Sequence, residues 1–249
     1  MANLRCIDDT TLIASSKAEL EKQAVELERY SHTFGLHINA AKTHVMAHGS
    51  QESISLGGKT IKQVDRFKYL GSLVGCDADS TPEINTRLAI ARDATSQLIG
   101  LWKAKAISLK LKKQLVRSLV WSIALYGSES WTIKPRDAKK IESFELWVWR
   151  RMLQVSWKDR KTNAWIRRKV GITEKQGLLS QLKKRKISLY GHWKRRPDSI
   201  VQVAIEGEVE GKARPGRRKT GWIDNIRTWT KGGMAVAREN ARKKVATVL

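Results

Sequence analysis

The segment Leu4-Arg5-Cys6-Ile7-Asp8-Asp9-Thr10-Thr11-Leu12-Ile13-Ala14 sets two short β-prone runs on either side of an acidic pair. It reads as a β-hairpin with the carboxylates at its tip. Two carboxylates on such a tip can point toward one place and hold divalent cations, as two-metal phosphoryl transfer requires. Acidic pairs are also ordinary in solvated turns, so the pair alone decides little. Working outward, Ser16 and Glu19 form a capping box. The helix they open carries Leu20, Ala24, Leu27, Ser31 and Phe34 at helical spacing and closes at Gly35. His44-Val45-Met46 is a strand candidate. Ile54-Ser55-Leu56-Gly57-Gly58-Lys59-Thr60-Ile61 alternates apolar residues around a Gly-Gly turn and reads as a second hairpin. Phe67-Lys68-Tyr69-Leu70-Gly71 opens a third strand pair, running to about Gly75.

Past Pro82 the periodicity changes from two to about 3.6. Glu83 to Trp102 carries Ile84, Leu88, Ala91, Thr95 and Leu98 on one face. Ser108 caps a second helix with Leu111, Leu115, Leu119 and Ile123 on one stripe, closed by Gly127. Pro135 opens a third, with Ile141, Phe144, Val148 and Met152 spaced by three and four. A fourth, from about Thr173 to Trp193, turns Leu178, Leu182 and Leu189 inward and Lys183, Lys184, Arg185 and Lys186 outward. Gly211 to Lys219 is a Gly/Pro/Arg-rich loop, and a short helix follows around Trp222 to Trp229. The fold class is α+β: hairpins and one helix first, then a mostly helical remainder.

The charge divides at the same place. The 249 residues carry a net charge of +24. Residues 1–82 hold 9 Lys+Arg against 10 Asp+Glu, whereas residues 83–249 hold 39 against 14, a net of +25. All ten tryptophans lie after position 100. Such a charge calls for a polyanionic partner, nucleic acid before an acidic membrane surface, because no apolar run approaches the roughly 18 residues of a spanning helix. Two cysteines, Cys6 and Cys76, make neither a disulfide framework nor, with the scattered histidines, a zinc site. No zinc is expected. The N-terminus has no apolar secretory core, and an intracellular setting, nucleus or cytoplasm, is expected.

Trp147, Trp149, Trp157 and Trp165 alternate with Arg150-Arg151, Lys158, Arg160-Lys161 and Arg167-Arg168-Lys169. Cations of one sign neutralise phosphates, and interleaved aromatics can stack on unpaired bases. A tryptophan at helical spacing more often belongs to a core, and Trp102, Trp121 and Trp147 are assigned there. Lys183 to Lys186 and Arg214-Pro215-Gly216-Arg217-Arg218-Lys219 read equally as phosphate-binding runs or nuclear-import signals.

Six stretches together resemble the reverse transcriptases of LINE-type, non-LTR retrotransposons. Cys6-Ile7-Asp8-Asp9 with Leu12-Ile13-Ala14 is similar to their aromatic-Ala-Asp-Asp hairpin. Gly35-Leu36-His37-Ile38-Asn39-Ala40-Ala41-Lys42-Thr43 looks like the next palm motif, and Phe67 to Gly71 like the hairpin that grips the primer. Tyr126 to Trp131 and Phe144 to Leu153 resemble the thumb region. Tyr190-Gly191-His192, with Gly211 to Ile226, continues the likeness. The resemblance implies a partial palm over 1–81, a helical thumb-like region over 82–155 and a basic, Trp-rich nucleic-acid-binding region over 156–249.

It further implies that Asp8 and Asp9 ligate Mg²⁺ or Mn²⁺ and that Lys42 protonates the leaving pyrophosphate. The commoner reading of such a lysine is a solvated surface residue. Phe67, Tyr69, Leu70 and Gly71 would position the primer end, while Arg150, Arg151, Arg167, Arg168, Lys183–Lys186 and Arg217–Lys219 would bind RNA and DNA. Cys6 departs from the family's aromatic residue and Ile7 from its small one. A third metal-binding aspartate and the fingers precede this hairpin in the family, so polymerisation by these residues alone is not expected. The alternative is a non-catalytic nucleic-acid-binding protein, a relic or a fragment put to another use.

Overall fold

The computed structural model describes residues 2–7, 9–47, 54–56, 59–195, 205–206 and 220–230. Helix and sheet are both present, and the chain divides into two compact units, Met1–Asp79 and Ser80–Leu249.

Unit 1 is built from hairpins. Strands β1 (Ala2–Cys6) and β2 (Asp9–Ile13) pair antiparallel, with Cys6 opposite Asp9 and Ala2 opposite Ile13. That register moves the turn one residue back from the acidic pair. Ile7 takes a left-handed turn conformation (φ 56°) and Asp9 is already in β2; Asp8 lies outside the described residues. Helix α1 (Lys17–His32) starts where the sequence predicts. Ser16 Oγ accepts from Glu19 N at 3.3 Å, and the Glu19 carboxylate reaches back to the N–H and hydroxyl of Ser15. Those two donors hold Glu19 below the usual carboxylate range. Strand β3 (His44–Val45) runs parallel to β5 (Lys59–Gln63), which pairs antiparallel with β4 (Ile54–Leu56). Strands β6 (Arg66–Tyr69) and β7 (Ser72–Gly75) form the last hairpin.

Unit 2 contains the main core. Its helices are α2 (Thr81–Gln97), α3 (Ile99–Lys103), α4 (Leu109–Leu115), α5 (Trp121–Ala124), α6 (Pro135–Leu153), α7 (Asn163–Val170), α8 (Leu178–Lys194) and α9 (Trp222–Trp229). A π-helical turn, Val116–Val120, joins α4 to α5. Ile84, Leu88 and Ala91 of α2 and Ile141, Phe144, Val148 and Met152 of α6 are buried as their spacing predicts. At the centre, Trp121 meets Trp149 edge-on at 5.3 Å between centroids and Phe144 at 6.0 Å. Trp102 is buried too, donating its indole N–H to Thr95 O at 2.9 Å.

Along α4–α5 the stripe that faces the core is the neighbour of the one the leucine spacing predicts. Leu111 and Leu119 stay 45% and 43% exposed, while Val116, Val120, Trp121, Ala124 and Leu125 fill the core. The two stripes differ by one position, and the inward one carries Trp121, whose ring removes more apolar area from water than any leucine. Among the described residues, no helix is long and apolar enough to cross a membrane.

Candidate nucleic-acid interface

The richest cationic segment of unit 2 spans the end of α6, the loop after it and α7. Residues 150–169 contain eight Lys and Arg against one acid, Asp159. Helix α6 ends on Gln154 in the left-handed conformation (φ 57°), with Val155 N–H donating to Arg150 O at 2.9 Å. A short 3₁₀ turn, Trp157–Asp159, follows under its own capping box: Ser156 Oγ accepts from Lys158 N, and Asp159 Oδ2 accepts from Ser156 N at 2.6 Å. The lone acid is thus committed to the backbone. Arg160 reverses the chain (φ 47°) and Thr162 Oγ1 caps α7 by accepting from Trp165 N at 3.2 Å. Arg150 Nη2 braces the far side, donating to Lys161 O and Asn163 Oδ1, each at 2.9 Å. Its guanidinium therefore serves the loop's shape.

The four tryptophans of this region divide. Trp149 is core, with its indole N–H donated to Glu145 Oε1 at 3.1 Å. Trp147 is partly buried against the core, and the guanidinium carbons of Arg92 and Arg151 each lie 5.4 Å from its ring centroid. The Arg92 contribution from α2 is invisible to local sequence reading. Trp165 is partly covered, with Lys161 Nζ 5.3 Å from its centroid. Trp157 is 83% exposed. Arg167 and Arg168 occupy the last turn of α7, where cations favour the helix C-terminus.

On α8 the outward run needs a correction. Lys184 and Arg185 are exposed and Lys183 is partly so, but Lys186 is fully buried. Its Nζ donates to Trp131 O at 2.5 Å and Asn225 Oδ1 at 2.8 Å, 4.5 Å from the Trp222 centroid and 5.5 Å from that of Trp229. Burial pushes this ammonium down to about 7. Position 186 lies four residues after Leu182 and eight after Leu178, so it falls on the inward stripe and cannot reach a phosphate from there. Arg185 leans on the same junction, donating to Leu125 O at 3.2 Å with Glu129 Oε1 3.7 Å away. Asn225 is the residue sequence reasoning missed. Its Oδ1 also accepts from Ile133 N at 2.7 Å and its Nδ2 donates to Ile133 O at 2.8 Å, pairing α9 to the loop before α6. Arg217, Arg218 and Lys219 lie outside the described residues.

In unit 1, Asp9 is exposed at the first position of β2. Lys42 is exposed on a turn knitted by Asn39, whose Oδ1 accepts from the N–H groups of Ala41 and Lys42 at 3.1 and 3.2 Å; Thr43 Oγ1 donates to Asn39 O. Among the described residues no hydrogen bond or ion pair joins Asp9 to Lys42. Nor do three His, Cys, Asp or Glu side chains among them gather as a metal site. Phe67 and Tyr69 are half-buried on one face of β6, opposite Val74 and Ser72. Leu70 and Gly71 form the two-residue turn, both with positive φ (47° and 79°), as a type I′ hairpin turn demands.

The chain is similar to an uncharacterized transposon-derived protein of Caenorhabditis elegans, 25% identical over 236 residues that cover 91% of this chain and 84% of the relative. No family model matches it, and no solved structure does.

Proposed function

We propose that the chain derives from the reverse transcriptase of a LINE-type retrotransposon and that its working property is nucleic-acid binding by unit 2. A transposon-derived relative aligned over nearly the whole chain supports the origin, together with the ordered motifs from Asp8-Asp9 to Trp222. In this reading unit 1 corresponds to the end of a palm and α2–α6 to a thumb. The single observation that carries the binding is the charge of residues 150–169, eight Lys and Arg against one acid, a net of +7, with that acid turned to the backbone as a cap. A merely solvated face mixes signs.

Catalysis by these residues alone is the weaker part of the inheritance. Ile7 stands 98% exposed in the turn ahead of Asp9, where a small residue would leave room for a nucleotide. The two-metal site of the family calls for a third carboxylate. The test of binding is a titration of fluorescent single-stranded and duplex oligonucleotides at several salt concentrations. Neutralising about five phosphates gives a log–log salt slope near −3.5 for a single strand and near −4.5 for a duplex. Affinity that does not fall with salt overturns the reading. Incorporation on a primed RNA template with Mg²⁺, abolished by Asp8→Ala, would instead make the chain a polymerase in its own right.

A further inference from the structure

We propose that Trp157 is a base-stacking platform, making the α6–α7 loop a site for unpaired nucleotides rather than duplex; the proposal rests on the nucleic-acid reading of unit 2. Of the four tryptophans interleaved with cations, Trp149 is buried, Trp147 lies against Phe144 with Arg92 and Arg151 about its ring, and Trp165 is partly covered. Trp157 alone among these four offers most of its surface to solvent, at 83% exposure. An indole left so open forgoes the burial that the core tryptophans gain.

The loop carrying it is stiff. Left-handed residues, Gln154 and Arg160, turn the chain at both ends. The Ser156–Asp159 box closes the turn, Arg150 ties Lys161 O and Asn163, and Thr162 caps the next helix. A platform fixed before its ligand arrives loses little entropy on binding.

Lys158, Arg160 and Lys161 follow Trp157 in the sequence, and all three are exposed. Cations spaced along the chain after one flat apolar face match the alternation of phosphate and base in a single strand. Every base has a π-face, so the stack does not depend on sequence. A duplex keeps its bases stacked on one another and presents only phosphates to such a surface, leaving the indole without a partner. An acidic protein partner would answer the cations but not the strand specificity.

The experiment uses the full chain, a mixed-sequence single-stranded RNA, the same sequence as single-stranded DNA, and the corresponding duplexes. Trp157→Ala should weaken both single strands roughly tenfold while leaving duplex affinity and the salt slope unchanged. Trp157→Phe should recover most of the loss, since it restores an aromatic face. Acrylamide quenching, read as the difference between wild type and Trp157→Phe, should fall when a single strand binds and not when a duplex binds. Because Trp157 is exposed, its variants should keep the wild-type circular dichroism. Equal single-strand affinity of wild type and Trp157→Ala overturns the platform and leaves the binding reading standing. Equal losses on single strand and duplex likewise make the loop an electrostatic contact only. Wild type that binds neither form overturns the nucleic-acid reading itself.

Discussion

Replacing Lys186 with Met keeps the length of the apolar stem and removes the terminal nitrogen. In the wild type that nitrogen donates to Trp131 O and Asn225 Oδ1 beside the rings of Trp222 and Trp229. Burial lowers the amine from 10.5 to about 7, although the carbonyl oxygens and indole faces favour the cation and work against that shift. Below pH 7 the lysine is protonated in both folded and unfolded chains, and this group adds no pH dependence. Between pH 7 and 10.5 the unfolded chain holds a proton that the folded chain has released, so wild-type stability rises with pH, by at most about 1.4 kcal/mol per pH unit. From pH 7 to 9 the gain is roughly 2–3 kcal/mol. The variant lacks the group, so the stability difference between the two proteins should widen by that amount over the same window. Near pH 7 the difference should be small. There, two hydrogen bonds worth roughly 1.5–3 kcal/mol each are set against the cost of burying a charge. Urea titrations followed by tryptophan fluorescence report on unit 2 specifically, because all ten tryptophans lie after residue 100. A difference that stays constant from about pH 6.5 to 9.5 refutes the argument.

Asn225→Ala removes three buried hydrogen bonds and leaves the Ile133 amide without its partner. A loss of about 2–4 kcal/mol is expected, read from the same urea titrations, and Asn225→Asp should be intermediate because it keeps the acceptor. Leu70 holds a left-handed conformation that suits Gly or Asn. Leu70→Asn should therefore raise unit 1 stability by about 1 kcal/mol, measured by hydrogen exchange across β6 and β7; a loss would mean that the leucine side chain supports the hairpin.

What the sequence makes legible here is local chemistry. The Ser16 and Ser108 caps, the Pro135 start, the Gly35 close and the α6 stripe each depend on residues within two turns of one another, and each is where its signal says. The misreadings come from choices between near-equal local options or from distant partners. Asp9 reads equally as part of the turn or as the first strand residue, and its pairing with Cys6 places it in β2. The Leu111–Leu119 stripe loses to Val116–Val120 because Trp121 lies on that side. Lys186 reads as a surface cation until Asn225, 39 positions away, comes to meet it. Arg92 joins the Trp147 ring from another helix. A cationic run can be read from a sequence, but which of its members faces a phosphate depends on helix phase and on partners far along the chain.

The two units also differ in how much holds them. In unit 1 the buried residues among those described are Gln23, Ile54 and Ile61, while Val25, Tyr30, Phe34 and Leu36 are exposed on or just after α1. Helix α1 buries only Gln23 in its 16 residues and packs on β2 and β4 through half-buried side chains, and an isolated helix of that length is marginal in water. Helix α6, by contrast, buries Ile141, Phe144, Val148, Trp149 and Met152 in the main core. Local opening should follow that difference. Amides of α1 should exchange with solvent deuterium orders of magnitude faster than those of Phe144–Trp149. If a single-stranded oligonucleotide binds through the α6–α7 loop, it should slow exchange around Ser156–Thr162 and leave α1 as it was. Protection of α1 equal to that of α6 in the free protein would mean that unit 1 is held by contacts other than its own core, and the ranking argued from burial would be wrong.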